Sequence, residues 1–158
     1  MNKRNWKPYL FFILLAEGAG ALSAFLSMGG MELYNQAVIK PALTPPAAAF
    51  PIVWGILYAL MGIGAARVYL APRSKERTVA LWLFFAQLVV NFAWSPIFFQ
   101  LQAFGFAFFW LLLLWALVLA MTIAFYRVDP LSGLLQIPYL IWLTIAAVLN
   151  LSVWRLNR

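Results

Sequence analysis

The chain has 158 residues, of which 66% are hydrophobic and 9% charged, with no cysteine, no histidine and a net charge of +7. A soluble domain carries about 45–50% apolar and about 25% charged residues, so the composition excludes that class and fits a helical membrane protein. Without cysteine or histidine there is no disulfide, no thiolate and neither the commonest metal ligand nor the usual general base, which argues against hydrolytic triads and metal sites.

Five apolar segments are each near the roughly 20 residues that cross about 30 Å of hydrocarbon. They predict one all-α membrane domain, 1–158, a bundle of five transmembrane helices over approximately 9–28, 50–70, 78–101, 104–126 and 131–154. The first segment follows Lys3, Arg4 and Lys7 but exceeds the roughly 7–15 residues of a signal-peptide core, so it reads as a retained span. Ala16, Gly20 and Ala24 in that span, and Gly62 and Ala66 in the second, have the spacing that lets helices approach closely, within one chain or between two copies.

A long first loop, 29–46, holds Gly29, Gly30, Glu32, Tyr34, Lys40, Pro41, Pro45 and Pro46, and Pro51 falls in the first turn of the helix that follows. A charged turn from Pro72 to Arg77 ends the second span. The third break, around Gln100 and Gln102, carries no charge and has to be tight, whereas Arg127, Asp129 and Pro130 mark the fourth clearly. Pro96 and Pro138 lie inside the third and fifth patterns, where each should free a backbone carbonyl and bend its helix.

The cations sit at segment ends and form no continuous patch, so no nucleic-acid partner is expected. With five spans, Lys3, Arg4, Lys7, Arg67, Arg73, Lys75, Arg77 and Arg127 share one face, against Lys40, Arg155 and Arg158 on the other. The positive-inside rule then puts the amino terminus in the cytoplasm and the first loop outside, for a bacterial cell membrane.

Gln87, Asn91 and Trp94 follow i, i+4, i+7 and share one helix face, which has to point into the bundle because amides are costly in lipid. Trp142, Ala146, Leu149 and Asn150 repeat the arrangement in the fifth span, and Trp54 with Tyr58 supplies another aromatic wall. Flat aromatic walls with a few hydrogen-bonding groups suit a large planar ligand, with Lys40 placed to meet an acid on its rim. Interhelical glue is the plainer reading of the same amides. Glu17, near the middle of the first span, reads either as a functional carboxyl or as a neutral, hydrogen-bonded structural one.

The chain resembles the translocator protein family, the tryptophan-rich sensory proteins or peripheral benzodiazepine receptors, in its bacterial form. The resemblance rests on Lys40, Pro41, Thr44, Pro45 and Pro46, on Pro51, Trp54, Tyr58 and Met61, on Gln87, Asn91, Trp94 and Pro96, and on Pro138, Tyr139, Trp142, Asn150 and Trp154. It implies a five-helix bundle, often a homodimer, that binds protoporphyrin IX or a related tetrapyrrole as receptor or sensor. Light-dependent breakdown of that porphyrin is a further activity the resemblance suggests; transport of porphyrins or other lipophilic molecules, and a regulatory or structural role without turnover, are the alternatives. It also implies Trp54 and Trp142 as the catalytic tryptophans, and Tyr34, Tyr58, Gln87, Asn91, Trp94, Ala146, Leu149 and Asn150 as ligand-binding. No cofactor is required, and without histidine or cysteine as axial ligand the expected porphyrin is metal-free.

Three positions depart from the family pattern: Leu43 stands where an aromatic is usual, Trp110 where an acid is common, and Leu151 where a sterol-recognition tyrosine belongs. Sterol binding is therefore not expected.

Overall fold

Every span is too apolar to stand in water and too short of polar side chains to satisfy its own backbone except as a helix. The computed structural model describes residues 5–42 and 44–158; Lys3, Arg4 and Leu43 lie outside them. It is 84% helix, and five helical stretches are long and apolar enough to cross a membrane. These are α1 (Lys7–Leu26), α3 (Ala49–Leu70), α4 (Lys75–Ser95) extended by a π-helical turn (Pro96–Gln100), α5 (Phe104–Val128), and the pair α6 (Pro130–Leu134) with α7 (Ile137–Leu156). Large apolar side chains such as Trp82 and Val89, 71% and 68% exposed, cover the outside, as a lipid-facing surface requires.

Two local expectations are corrected. The first loop is helical over much of its length: α2 (Met28–Ala37) follows α1 after Ser27 alone. Gly30 is the reason it packs, since a Cβ there would collide with the backbone of Phe99 and Gln100. The Gly30 N–H also donates to Gln100 Oε1 at 2.9 Å. Pro138 is not in a helix interior, because the fifth span breaks at Leu135 and Gln136 and restarts with Pro138 in the first turn of α7, where a missing N–H costs nothing.

Pro96 behaves as expected, and its surroundings show how the cost is met. It cannot donate to Phe92, and the freed Phe92 carbonyl accepts from Ser23 Oγ of α1 at 2.7 Å. The chain then widens, with Leu101 N–H donating five residues back to Pro96 O at 3.0 Å. The uncharged third break is as tight as it had to be, turning at Gln102 with φ 51°.

Ala16, Gly20, Gly62 and Ala66 pack within the chain, whereas Ala24 is exposed. Ala16 and Ala66 are fully buried, and a Cβ on Gly62 would lie 2.6 Å from Ile13 Cα and 2.7 Å from its N. Around the bundle α1 packs on α3 and α4, α5 packs on α4 and α7, and α6 wedges against α3 and α5.

The end that carries the cations is tied by an ion pair, Arg67 Nε to Asp129 Oδ2 at 2.7 Å. Asp129 also accepts from Ser132 N and Oγ, capping α6. The Arg67 hydrogen bond, reinforced by Ser132, holds the Asp129 carboxyl below its ordinary value against the opposing effect of burial. A depressed carboxylate stabilises the fold above its unfolded pKa, about 3.9, and that contribution disappears as pH falls through the lower folded value. Between pH 5 and pH 2 the melting temperature in detergent should therefore fall more steeply for the wild type than for Asp129→Asn. The pair is partly exposed, so the difference should be about 0.5–1 kcal/mol; parallel curves would remove the ion pair from the account.

Candidate ligand-binding site

At the opposite end the helices enclose a cavity of about 620 Å³, lined by α1, α2, the following loop, α3, α4, the π turn and α7. α5 contributes nothing to it and acts as the outer buttress.

The inner end is closed by a chain of hydrogen bonds. Tyr58 Oη donates to Asn91 Oδ1 at 2.6 Å, Asn91 Nδ2 to Tyr139 Oη at 2.5 Å, and Tyr139 Oη to Gln87 Oε1 at 2.8 Å. Gln87 Nε2 completes it on Phe84 O at 3.0 Å and Met61 Sδ at 3.1 Å. All of these groups are buried, and each amide uses both its ends. This is the arrangement in which a polar network rigidifies a core.

Two aromatic walls rise from this floor. On one side Trp54 stacks on Tyr58 (5.5 Å, 28°) and meets Trp142 edge-on (6.4 Å, 90°), and Trp142 in turn meets Phe50 (5.6 Å). On the other, Trp94 stacks on Phe98 (5.0 Å, 24°), and Tyr34 leans on Phe98 and Phe99 at 5.5 and 5.1 Å. Trp94 Nε1 donates to Asn150 Oδ1 at 3.2 Å and Asn150 Nδ2 to Phe104 O at 2.8 Å, so that wall is locked. The Trp142 indole N–H is buried with no partner among the described residues.

The lid is the segment after α2. Lys40 Nζ donates to Val38 O at 3.0 Å and Asn35 O at 3.4 Å and lies 4.7 Å from the centre of the Tyr34 ring. A cation is well placed against carbonyls ending a helix. Asn157, just past α7, clasps the lid from the other side: its Oδ1 accepts from Ile39 N–H at 2.9 Å and its Nδ2 donates to Ile39 O at 2.7 Å. Burial pushes the Tyr34 phenol above its ordinary value.

Trp54, Trp142, Tyr34, Tyr58, Asn91, Trp94, Ala146, Leu149 and Asn150 all line the cavity. Gln87 does not: it bonds Tyr139, which does not line the cavity either, and reaches the lining residue Asn91 only through that hydroxyl. Tyr34 reaches the site from a helix rather than a loop. Met31, Asn35, Phe50 and Phe98 line it as well; the i, i+4 pair Met31 and Asn35 was obscured by the reading of α2 as loop, and Phe98, four residues after Trp94, by the intervening proline. Trp110, in the place of an acid, donates its indole N–H to Val90 O at 2.8 Å and joins α5 to α4 away from the cavity.

Comparison with known proteins bears on the whole of this arrangement. The family model described as TspO/MBR family matches residues 12–155. The chain belongs to the TspO/MBR family. Among its relatives, Protein CrtK of Rhodobacter capsulatus is 44% identical over 140 residues, covering 88% of this chain and 86% of the relative. The Translocator protein of Homo sapiens is 38% identical over 155 residues, 96% of this chain and 91% of the relative. The Tryptophan-rich sensory protein of Cereibacter sphaeroides is 35% identical over 153 residues, 97% and 93%. Since these alignments run nearly end to end, the TspO/MBR assignment covers the spans and the cavity together.

Proposed function

We propose that this TspO/MBR member is a multi-pass receptor for a tetrapyrrole, with metal-free protoporphyrin IX the first ligand to test, and that its amino terminus faces the cytoplasm of a bacterial cell. The observation that carries the ligand reading is the cavity itself: about 620 Å³ between two aromatic walls, with Tyr58 and Asn91 at its floor hydrogen-bonded to one another. Such a space rewards a large flat apolar ring system and offers little to a small polar solute. Acidic substituents of the ligand belong at the lid, beside Lys40. The charge asymmetry between the two ends supports the orientation.

Titrating protoporphyrin IX into protein in uncharged detergent should quench tryptophan fluorescence saturably. Each lost ring contact is worth about 0.5–1.5 kcal/mol, so Trp54→Phe combined with Trp142→Phe should weaken binding roughly tenfold. Saturable quenching that never appears would sink the porphyrin reading, and unchanged affinity in the double variant would sink the residue assignment. Illuminating the complex in air then separates light-driven porphyrin loss, in which Trp54 and Trp142 would act as redox partners, from binding alone.

A further inference from the structure

The two charged side chains bordering the cavity differ in how they are held. Lys40, at the lid, is occupied by two carbonyls and the Tyr34 ring. Glu17 projects from the middle of α1, with about 14 Å of helix toward either end, so its short side chain reaches neither membrane surface. Glu17, Gly20, Ala21, Ser23 and Ala24 form the α1 face that lines the cavity, and Glu17 is the only long side chain on it. Gly20 lies so close to the Tyr58 ring that a Cβ would clash, which sets Glu17 one turn from Tyr58.

The Tyr58 hydroxyl is committed to Asn91. Among the described residues Glu17 has no hydrogen-bond or ion-pair partner, since the single ion pair there joins Arg67 to Asp129 at the other end. An intramembrane carboxyl is costly at mid-span, and such groups face interiors where something satisfies them. Of the other titratable side chains lining the cavity, Tyr34, Lys40 and Tyr58, only Lys40 carries positive charge, and it is engaged at the lid.

We propose that Glu17 is the recognition group of the cavity's inner end, selecting flat aromatic nitrogen bases, whose protonated nitrogen or N–H meets the carboxyl, over flat aromatic acids. This goes beyond the porphyrin reading and does not depend on it. A tetrapyrrole meets the requirement through its pyrrole N–H groups while its acids stay at the lid; any planar base with a donor meets it as well.

Two ring-matched probes test the selection at pH 7 in uncharged detergent, 9-aminoacridine as the base and acridine-9-carboxylate as the acid. The wild type should bind the base at least about tenfold more tightly, and Glu17→Gln should shrink that ratio about tenfold, the equivalent of one lost charge-assisted contact. A second measurement needs no variant: dicyclohexylcarbodiimide, which modifies protonated carboxyls in apolar surroundings, should label Glu17, and 9-aminoacridine but not the acid should slow the labelling roughly tenfold. Equal affinities in the wild type, a ratio unmoved by Glu17→Gln, or labelling that is absent or unprotected by the base would each overturn the proposal. Protoporphyrin IX titrated in parallel reports on the porphyrin reading separately.

Discussion

Asn91→Leu should lower stability by about 2–4 kcal/mol and, at the same time, weaken any ligand that packs on Tyr58. Asn91 is the only described partner of the Tyr58 hydroxyl and one of two for Tyr139, and leucine keeps roughly its volume while removing both bonds. A single interhelical bond in a membrane averages only about 0.6 kcal/mol. The larger effect comes from what is left behind, a buried hydroxyl with no acceptor, at about 1–3 kcal/mol, and a chain that no longer fixes Tyr139 on Gln87. Unfolding in detergent measures the loss, and the cycle with Tyr139→Phe measures the coupling. If the two changes add, or Asn91→Leu costs under about 0.5 kcal/mol, the four side chains do not act as a unit.

Gly62→Leu should be at least as damaging, at about 3 kcal/mol or more, and should reduce the yield of folded protein. The two nearest atoms a Cβ would strike, Ile13 Cα and N, belong to the backbone. A side-chain tip can rotate away, but a helix backbone has to move bodily, and overpacking costs about 1–3 kcal/mol even where some relaxation is available. Separating α1 from α3 would also draw Ser23 off the Phe92 carbonyl and open the cavity wall at Gly20. Gly18, with nothing within 4 Å of its Cβ position, is the control: Gly18→Ala should leave the melting temperature unchanged or slightly raised. If both substitutions behave alike, the close approach of α1 and α3 does not carry stability.

The spans were legible because lipid forces apolar length and backbone self-satisfaction, two properties that survive in a bare sequence. The face of Asn91 and Trp94 was legible for the same reason, since amides in such a segment have to point inward. What was not legible depends on atoms brought together from distant positions. Gln87 has the same spacing and chemistry as its neighbours on α4, and only Tyr139, 52 positions further along, shows that it stands behind the cavity rather than in it. α2 was hidden because its glycines read as loop residues, whereas Gly30 is there to let a helix lie on the Phe99 backbone. The break before α7 was hidden because an apolar run around Pro138 looks continuous until Gln136 is seen turning inward to donate to Leu60 O at 3.1 Å.

The clasp between Asn157 and Ile39 bears on time rather than on strength. Asn157, just past α7, holds the segment after α2 by two hydrogen bonds on exposed backbone, so opening that side of the cavity requires both to break. Asn157→Ala should therefore speed the exchange of a bound ring ligand while leaving its contacts with the tryptophans intact, and stopped-flow release from the variant and the wild type measures the difference.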